Sequence, residues 1–246
     1  YGKYPVKDVF QAAICTGGSQ VDIENTEFVR DEIAKSSPGG AILANGGNVN
    51  IVSSLFDLAG GLSFFNNYAQ IVNSGITIPA DNLDLDRIYA AAGSTVDIKA
   101  STIMSTFGSC TRCAPDQDQS MPLSASGGSF HLSESAIGVL SEIDGVALLQ
   151  AEYGGSYTAD PLTYVQPVPG QDAAALRALT GQPALLTDPP ALPDFSIENT
   201  VGRTTRWLVP LVPGTLIDQV TDAGPGGANE LINPIDQTVI SKDLFG

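Results

Sequence analysis

The chain has 246 residues, enough for one large domain with a buried core, and no apolar run of about 18 residues that would make a membrane-spanning helix. Eleven Lys and Arg against 27 Asp and Glu leave a formal charge of −16, which argues against nucleic acid or an anionic membrane as partner. Only 15 % of residues are charged while 26 Gly and 16 Pro punctuate the chain, a mixture suited to short strands and corners with few helices.

Residues 1–10 (YGKYPVKDVF) carry no basic-then-apolar leader. They are predicted to be a lead-in strand or cap on the repeats that follow, in a chain that is a mature form or a trimmed piece of a longer one. Five stretches then share one grammar: 12–28, 40–56, 67–83, 87–103 and 121–137. Each reads as a short apolar strand, a tight turn, an alternating strand, a polar bend and a last apolar residue that turns inward. Aligned on the second strand, the first apolar position is Val21, Val49, Ile76, Val96 and Phe130. Two residues on stand Ile23, Ile51, Ile78, Ile98 and Leu132, and seven on stand Phe28, Phe56, Leu83, Ile103 and Ile137. Apolar residues at i and i+2 with polar ones between mark a strand with one buried face. The turns are assigned to Gly17-Gly18, Gly46-Gly47, Gly75, Gly93 and Gly127-Gly128, where positive φ allows a sharp corner. Successive units lie 49−21 = 28, 76−49 = 27, 96−76 = 20 and 130−96 = 34 residues apart, with the variation expected as insertions on one side. Repetition of this kind predicts an all-β solenoid, a parallel β-helix with one repeat per coil.

Between the repeats, residues 29–38 form a charged excursion. The FFNN run is predicted to place Asn66 or Asn67 in an internal amide ladder. Residues 146–162 are expected to make a weaker sixth coil around Gly154-Gly155. From 158 to 200 prolines crowd the chain, which is read as leaving the stack, with one short helix at 172–179 (DAAALRAL). Residues 195–220, around Trp207, are predicted to be a final coil or edge strand. The division expected is therefore 1–162 for the capped coils and 163–246 for a Pro-rich segment with closing strands on the same solenoid.

Chemistry-bearing residues are sparse. The three cysteines are Cys15, Cys110 and Cys113. The Cys110-x-x-Cys113 spacing could serve redox chemistry or half of a zinc site, but no βαβ pattern surrounds it and His131 and one further cysteine are too few partners, so a structural disulfide is expected, Cys110 with Cys113 or either with Cys15. Asp22, Glu24, Asp97 and Glu134 fall on the polar side of second strands, and the reading stacks Asp22, Asn50, Thr77, Asp97 and His131 in one file. Asp22 and Asp97 are then about 14 Å apart, too far for a glycosidase pair. His131, the one histidine, is placed beside Asp97 and read as a solvated residue rather than a general base. Lys99 and Arg87 are the bases near the strands, too few for a cleft that holds acidic sugars. Tyr153, Tyr157, Tyr164 and Trp207 are expected to pack a C-terminal lobe, or else to stack on sugar rings. Oxygen-rich runs at 81–86 and 116–118 make Ca²⁺ the one candidate cation, with no ligand set assigned and no cofactor expected.

The GGAI entry to a coil, the GGNVNI and FFNN phrases and the repeated φ-x-φ strand resemble bacterial right-handed parallel β-helix proteins of the polymorphic outer-membrane protein and surface-adhesin kind. The tail PGTLIDQVTDAG with TVISKDLFG is similar to the end of the choice-of-anchor Q group of secreted β-helix proteins, though it lacks that group's Ser-Pro and closing D-I-G-A. The resemblance implies a secreted or cell-surface location and an adhesive or structural role without catalysis. Self-association into oligomers or filaments and a carbohydrate or host-surface ligand are the partners expected. A carbohydrate-active enzyme, lyase or hydrolase, is the alternative.

Overall fold

The computed structural model describes residues 13–29, 40–57, 61–79, 87–106, 123–139, 149–160, 163–165, 195–199, 206–210 and 230–240. The chain lays down strands in threes. The first round is β1 (Ile14–Gly17), β2 (Gln20–Glu24) and β3 (Glu27–Val29). The second is β4 (Ile42–Asn45), β5 (Asn48–Val52) and β6 (Leu55–Asp57). Then follow β7 (Leu62–Phe65), β8 (Tyr68–Val72) and β9 (Gly75–Pro79), and β10 (Ile88–Ala91), β11 (Thr95–Lys99) and β12 (Thr102–Thr106). The fifth round is β13 (Leu123–Ser126), β14 (Ser129–Ser133) and β15 (Ala136–Val139), and the sixth is β16 (Leu149–Glu152), β17 (Ser156–Ala159) and β18 (Tyr164–Val165). The first strands of all rounds form one six-stranded parallel sheet, the second strands another and the third strands a third. Each sheet grows in chain order, one strand per round, an all-β arrangement that fits a parallel β-solenoid.

Side chains of like kind stack along the sheets because the register is unbroken. On the second sheet Val21, Val49, Ala69, Val96, Phe130 and Tyr157 stand in one file, and Ile23, Ile51, Ile71, Ile98, Leu132 and Ala159 in the next. The third sheet contributes Phe28, Phe56, Ile76, Ile103, Ile137 and Val165 to the same buried cluster. Phe28 lies flat on Phe56 with centroids 4.5 Å apart, and Phe130 on Tyr157 at 5.2 Å. Such offset stacking adds to the burial of large rings in a dry interior.

This register corrects the third repeat. Ile76 and Ile78 do not continue the file of Val49 and Ile51; both lie on β9 in the third sheet, and Ala69 and Ile71 take their places. True spacings along the file are 49−21 = 28, 69−49 = 20, 96−69 = 27 and 130−96 = 34. The turn before β8 is Asn66-Asn67, with Asn66 at φ 47°, and Gly75 begins β9 instead. Asparagine tolerates the left-handed region that a glycine search overlooks. The file position is also disguised by size. Ala69 is small where its neighbours are Val, and this round carries its bulk at Phe64, where the others have Thr16, Ala44, Ala90, Ala125 and Ala151. Leu83, assigned to the third file, lies outside the described residues.

Two corners of each of the first five rounds are built to a pattern. Between the first and second strands the rounds approach closely: a Cβ on Gly47 would lie 2.1 Å from the Ser19 carbonyl oxygen. Between the second and third strands, Asn25, Ser53, Asn73, Ala100 and Glu134 all take φ near +50°. Each is followed by Thr26, Ser54, Ser74, Ser101 or Ser135, and these hydroxyls form an internal ladder. The N–H groups of Thr26, Ser54, Ser74 and Ser101 donate to the Oγ of the serine one round on, at 3.1–3.2 Å. Each serine Oγ donates in turn to the carbonyl two residues before it, at 2.7–2.9 Å. A bend that would strand buried amides is thereby satisfied without water. Asn67 joins a comparable bond at the other corner, its Nδ2 donating to the Gly46 carbonyl at 2.8 Å.

The third corner absorbs all long connections: 30–41, 58–61, 80–87, 107–122 and 140–148 each join a third-sheet strand to the next round. β19 (Phe195–Asn199) and β20 (Arg206–Pro210) pair antiparallel in a sheet of their own, rather than adding a seventh coil. The helix expected at 172–179 lies outside the described residues.

Candidate functional site

Outward positions of the second sheet are polar through most of its length. One row runs Asp22, Asn50, Gln70, Asp97, His131 and Thr158, so Gln70, not Thr77, stands beside Asp97. The row is knit by side chains. Asp22 accepts from Asn50 Nδ2 at 2.7 Å and from Gln20 Nε2 at 3.0 Å. Asp97 is the hub: its Oδ1 lies 2.8 Å from His131 Nδ1, and its Oδ2 accepts from the Tyr68 hydroxyl. A carboxylate only accepts, so Nδ1 donates to it, and in the neutral ring this leaves Nε2 as an acceptor at the surface. His131 has just over half of its side chain exposed. Partial burial, and then Asp97, push the Tyr68 phenol up to about 12, so it remains a donor at neutral pH. Lys99, two residues along β11, reaches Glu134 Oε2 at 3.9 Å. Burial raises the Glu134 carboxyl above the usual range, with Lys99 opposing.

The last described segment, 230–240, shapes this face. It folds on itself, with Asn233 and Ile240 N–H donating to the Thr238 and Leu231 carbonyls at 2.8 Å. Asx turns at Asn233 and Asp236 tighten it. Asn233 Nδ2 donates to Glu24 Oε1 at 2.8 Å, tying residue 233 to the first round across 209 positions of sequence. At that end of the sheet the outward residues turn apolar: Val52 and Val72 are 1 % and 5 % exposed. Ile232 and Pro234 face the sheet across a groove of about 360 Å³. Val72, Ile232 and Pro234 make its apolar side, and Gln70, Asp97, Lys99, His131 and Ser133 its polar side.

Of the residues singled out by sequence, Asp97 and His131 are together, as the stacking order implied. Asp22 stands three strands from Asp97 and Glu134 sits at a corner. Tyr68, Gln70 and segment 230–240 were not anticipated. Tyr157 is core, with burial raising its phenol, and its hydroxyl accepts from Ala125 N–H at 3.1 Å and lies 2.7 Å from the Gln150 carbonyl. Tyr153 is almost fully exposed at φ 51° and does not line this groove. The side chains of Tyr164 and Trp207 lie outside the described residues. Cys15 is exposed with a free thiol; Cys110 and Cys113, like the oxygen-rich runs at 81–86 and 116–118, also lie outside them. No cluster of three or more metal-ligating side chains occurs among the described residues. No family model, no curated protein and no solved structure matches this chain.

Proposed function

We propose that the chain is a right-handed parallel β-helix of the secreted or cell-surface kind, working as a non-enzymatic structural or adhesive rod. The observation that carries this reading is the unbroken register of three six-stranded parallel sheets, which makes a stiff body whose sides, not interior, are left for recognition. Right-handedness follows from the near-universal hand of parallel crossover connections. Among the described residues each sheet has one edge in the first round and the other in the sixth, and edges of this kind can pair with the main chain of a further copy. A formal net charge of −16 disfavours indiscriminate clumping of such rods. Electron microscopy of the purified chain over a concentration series tests this. End-to-end rods are expected; compact single particles at every concentration would overturn the assembly.

The Asp97–His131 pair is the one observation that favours the alternative, a carbohydrate-active enzyme. Against it, a glycosidase needs two carboxylates roughly 5–10 Å apart, and among the described residues Asp97 is the only carboxylate lining the groove. Release of reducing ends or unsaturated uronates from polysaccharides would reinstate that reading.

A further inference from the structure

We infer that the groove between the second sheet and segment 230–240 is a binding site for a neutral saccharide, held by Gln70, Asp97 and His131 against the Val72, Ile232 and Pro234 wall. This deepens the adhesive reading by naming a ligand class, yet it concerns a site complete within one chain. The chemistry of the two walls is the argument. A sugar ring presents hydroxyls that both donate and accept around its edge and C–H groups on its faces. The polar wall offers the matching mixture in a small space: an amide at Gln70, a carboxylate at Asp97, an imidazole acceptor at His131 and a hydroxyl at Ser133. The apolar wall offers a surface for C–H groups. At about 360 Å³ the groove is at the small end of ligand sites, roughly 300–1,000 Å³, which suits a short saccharide.

Preorganisation supports the same conclusion. Asp97 is held at both oxygens, by the Tyr68 hydroxyl and His131 Nδ1, so neither side chain pays much ordering entropy when a ligand arrives. Each strand is fixed by parallel partners on both sides, placing Gln70, Asp97 and His131 at one strand spacing, about 4.8 Å. Charge selects against acidic sugars. Asp97 faces the groove, and the one lysine lining it among the described residues, Lys99, is already drawn toward Glu134. An anionic ligand would enter a field set by a net charge of −16.

Saturation-transfer NMR on the full chain, with maltose, cellobiose, lactose and N,N′-diacetylchitobiose as neutral probes and glucuronate as the acidic one, tests the site. At least one neutral probe is expected to receive transfer and to shift the His131 ring resonances. Gln70→Ala and His131→Ala should each weaken it by about tenfold, the equivalent of about 1.4 kcal/mol. Thr158→Ala, in the same row but outside the groove, should leave binding unchanged. All three positions are on the outer face, so circular dichroism should be unaltered. No transfer to any neutral probe, binding in both groove variants equal to that of the native chain, or preference for glucuronate would overturn the proposal. Binding is read on single chains, so a failure to form rods in the microscope leaves it standing, and the reverse holds.

Discussion

At the scale of single residues, the corner between second and third strands sets the clearest constraints. Ala100 takes φ 47° without a side chain that profits from it, whereas Asn25 and Asn73 occupy the same corner in other rounds. The left-handed region costs an ordinary L-residue roughly 1–2 kcal/mol, and asparagine bears it more easily. Ala100→Asn should therefore stabilise the chain by about 1 kcal/mol, raising Tm by roughly 2–4 °C for a chain of this size. Tyr68 gives a pH signature. Its phenol is raised from 10 to about 12 in the folded chain, so its contribution is complete below pH 10 and is lost as pH climbs through 12. The Tm gap between the native chain and Tyr68→Phe should accordingly narrow across that window; a constant gap would show that the folded chain does not raise this phenol.

At the scale of the element, the serine ladder explains why the chain can bend between its second and third strands without leaving amides bare. Ser74 Oγ accepts from Ser54 N–H at 3.2 Å and donates to the Val72 carbonyl at 2.9 Å, both deep inside. Ser74→Ala would leave the Ser54 amide buried and unpaired, at a cost of about 1–3 kcal/mol measurable by chemical denaturation. A surface Ser129→Ala, whose hydroxyl is only partly buried, should cost far less. Much of this was legible beforehand: the φ-x-φ strands, the polar bend and the sixth round all follow from residue order. What escaped had a physical cause. Asn66 performs a turn that glycine performs elsewhere, and Ala69 hides a core position because Phe64 supplies the bulk. Once that single round slipped, every cross-strand neighbour slipped with it, so Gln70 and Tyr68 were lost from the site while Asp97 and His131, read from rounds in true register, were kept. Segment 230–240 has no periodicity to announce a seat on Glu24, 209 residues earlier. Contacts of that range leave no local trace in the chain.

For the whole molecule, each round touches only its neighbours, so stability accumulates by stacking and should be lost from the ends inward. Hydrogen exchange followed by mass spectrometry should find β5, β8 and β11 the slowest amides. β18 should be among the fastest, since it is two residues long and paired on one side only. Slow exchange spread evenly over all six rounds would mean that the ends are covered as firmly as the middle. Tethering of residue 233 to the first round predicts that Asn233→Ala speeds exchange in 230–240 while leaving β8 and β11 slow.

The placement of every long connection at the third corner has a practical outcome. The first two corners are kept to a few residues because each rests directly on the one before, whereas at the third the count ranges from the four residues of 58–61 to the sixteen of 107–122 with no change in strand register. New peptide, whether gained by inheritance or grafted by hand, can thus be carried along a single flank, one passenger per storey, while the stacked strands stay as they were.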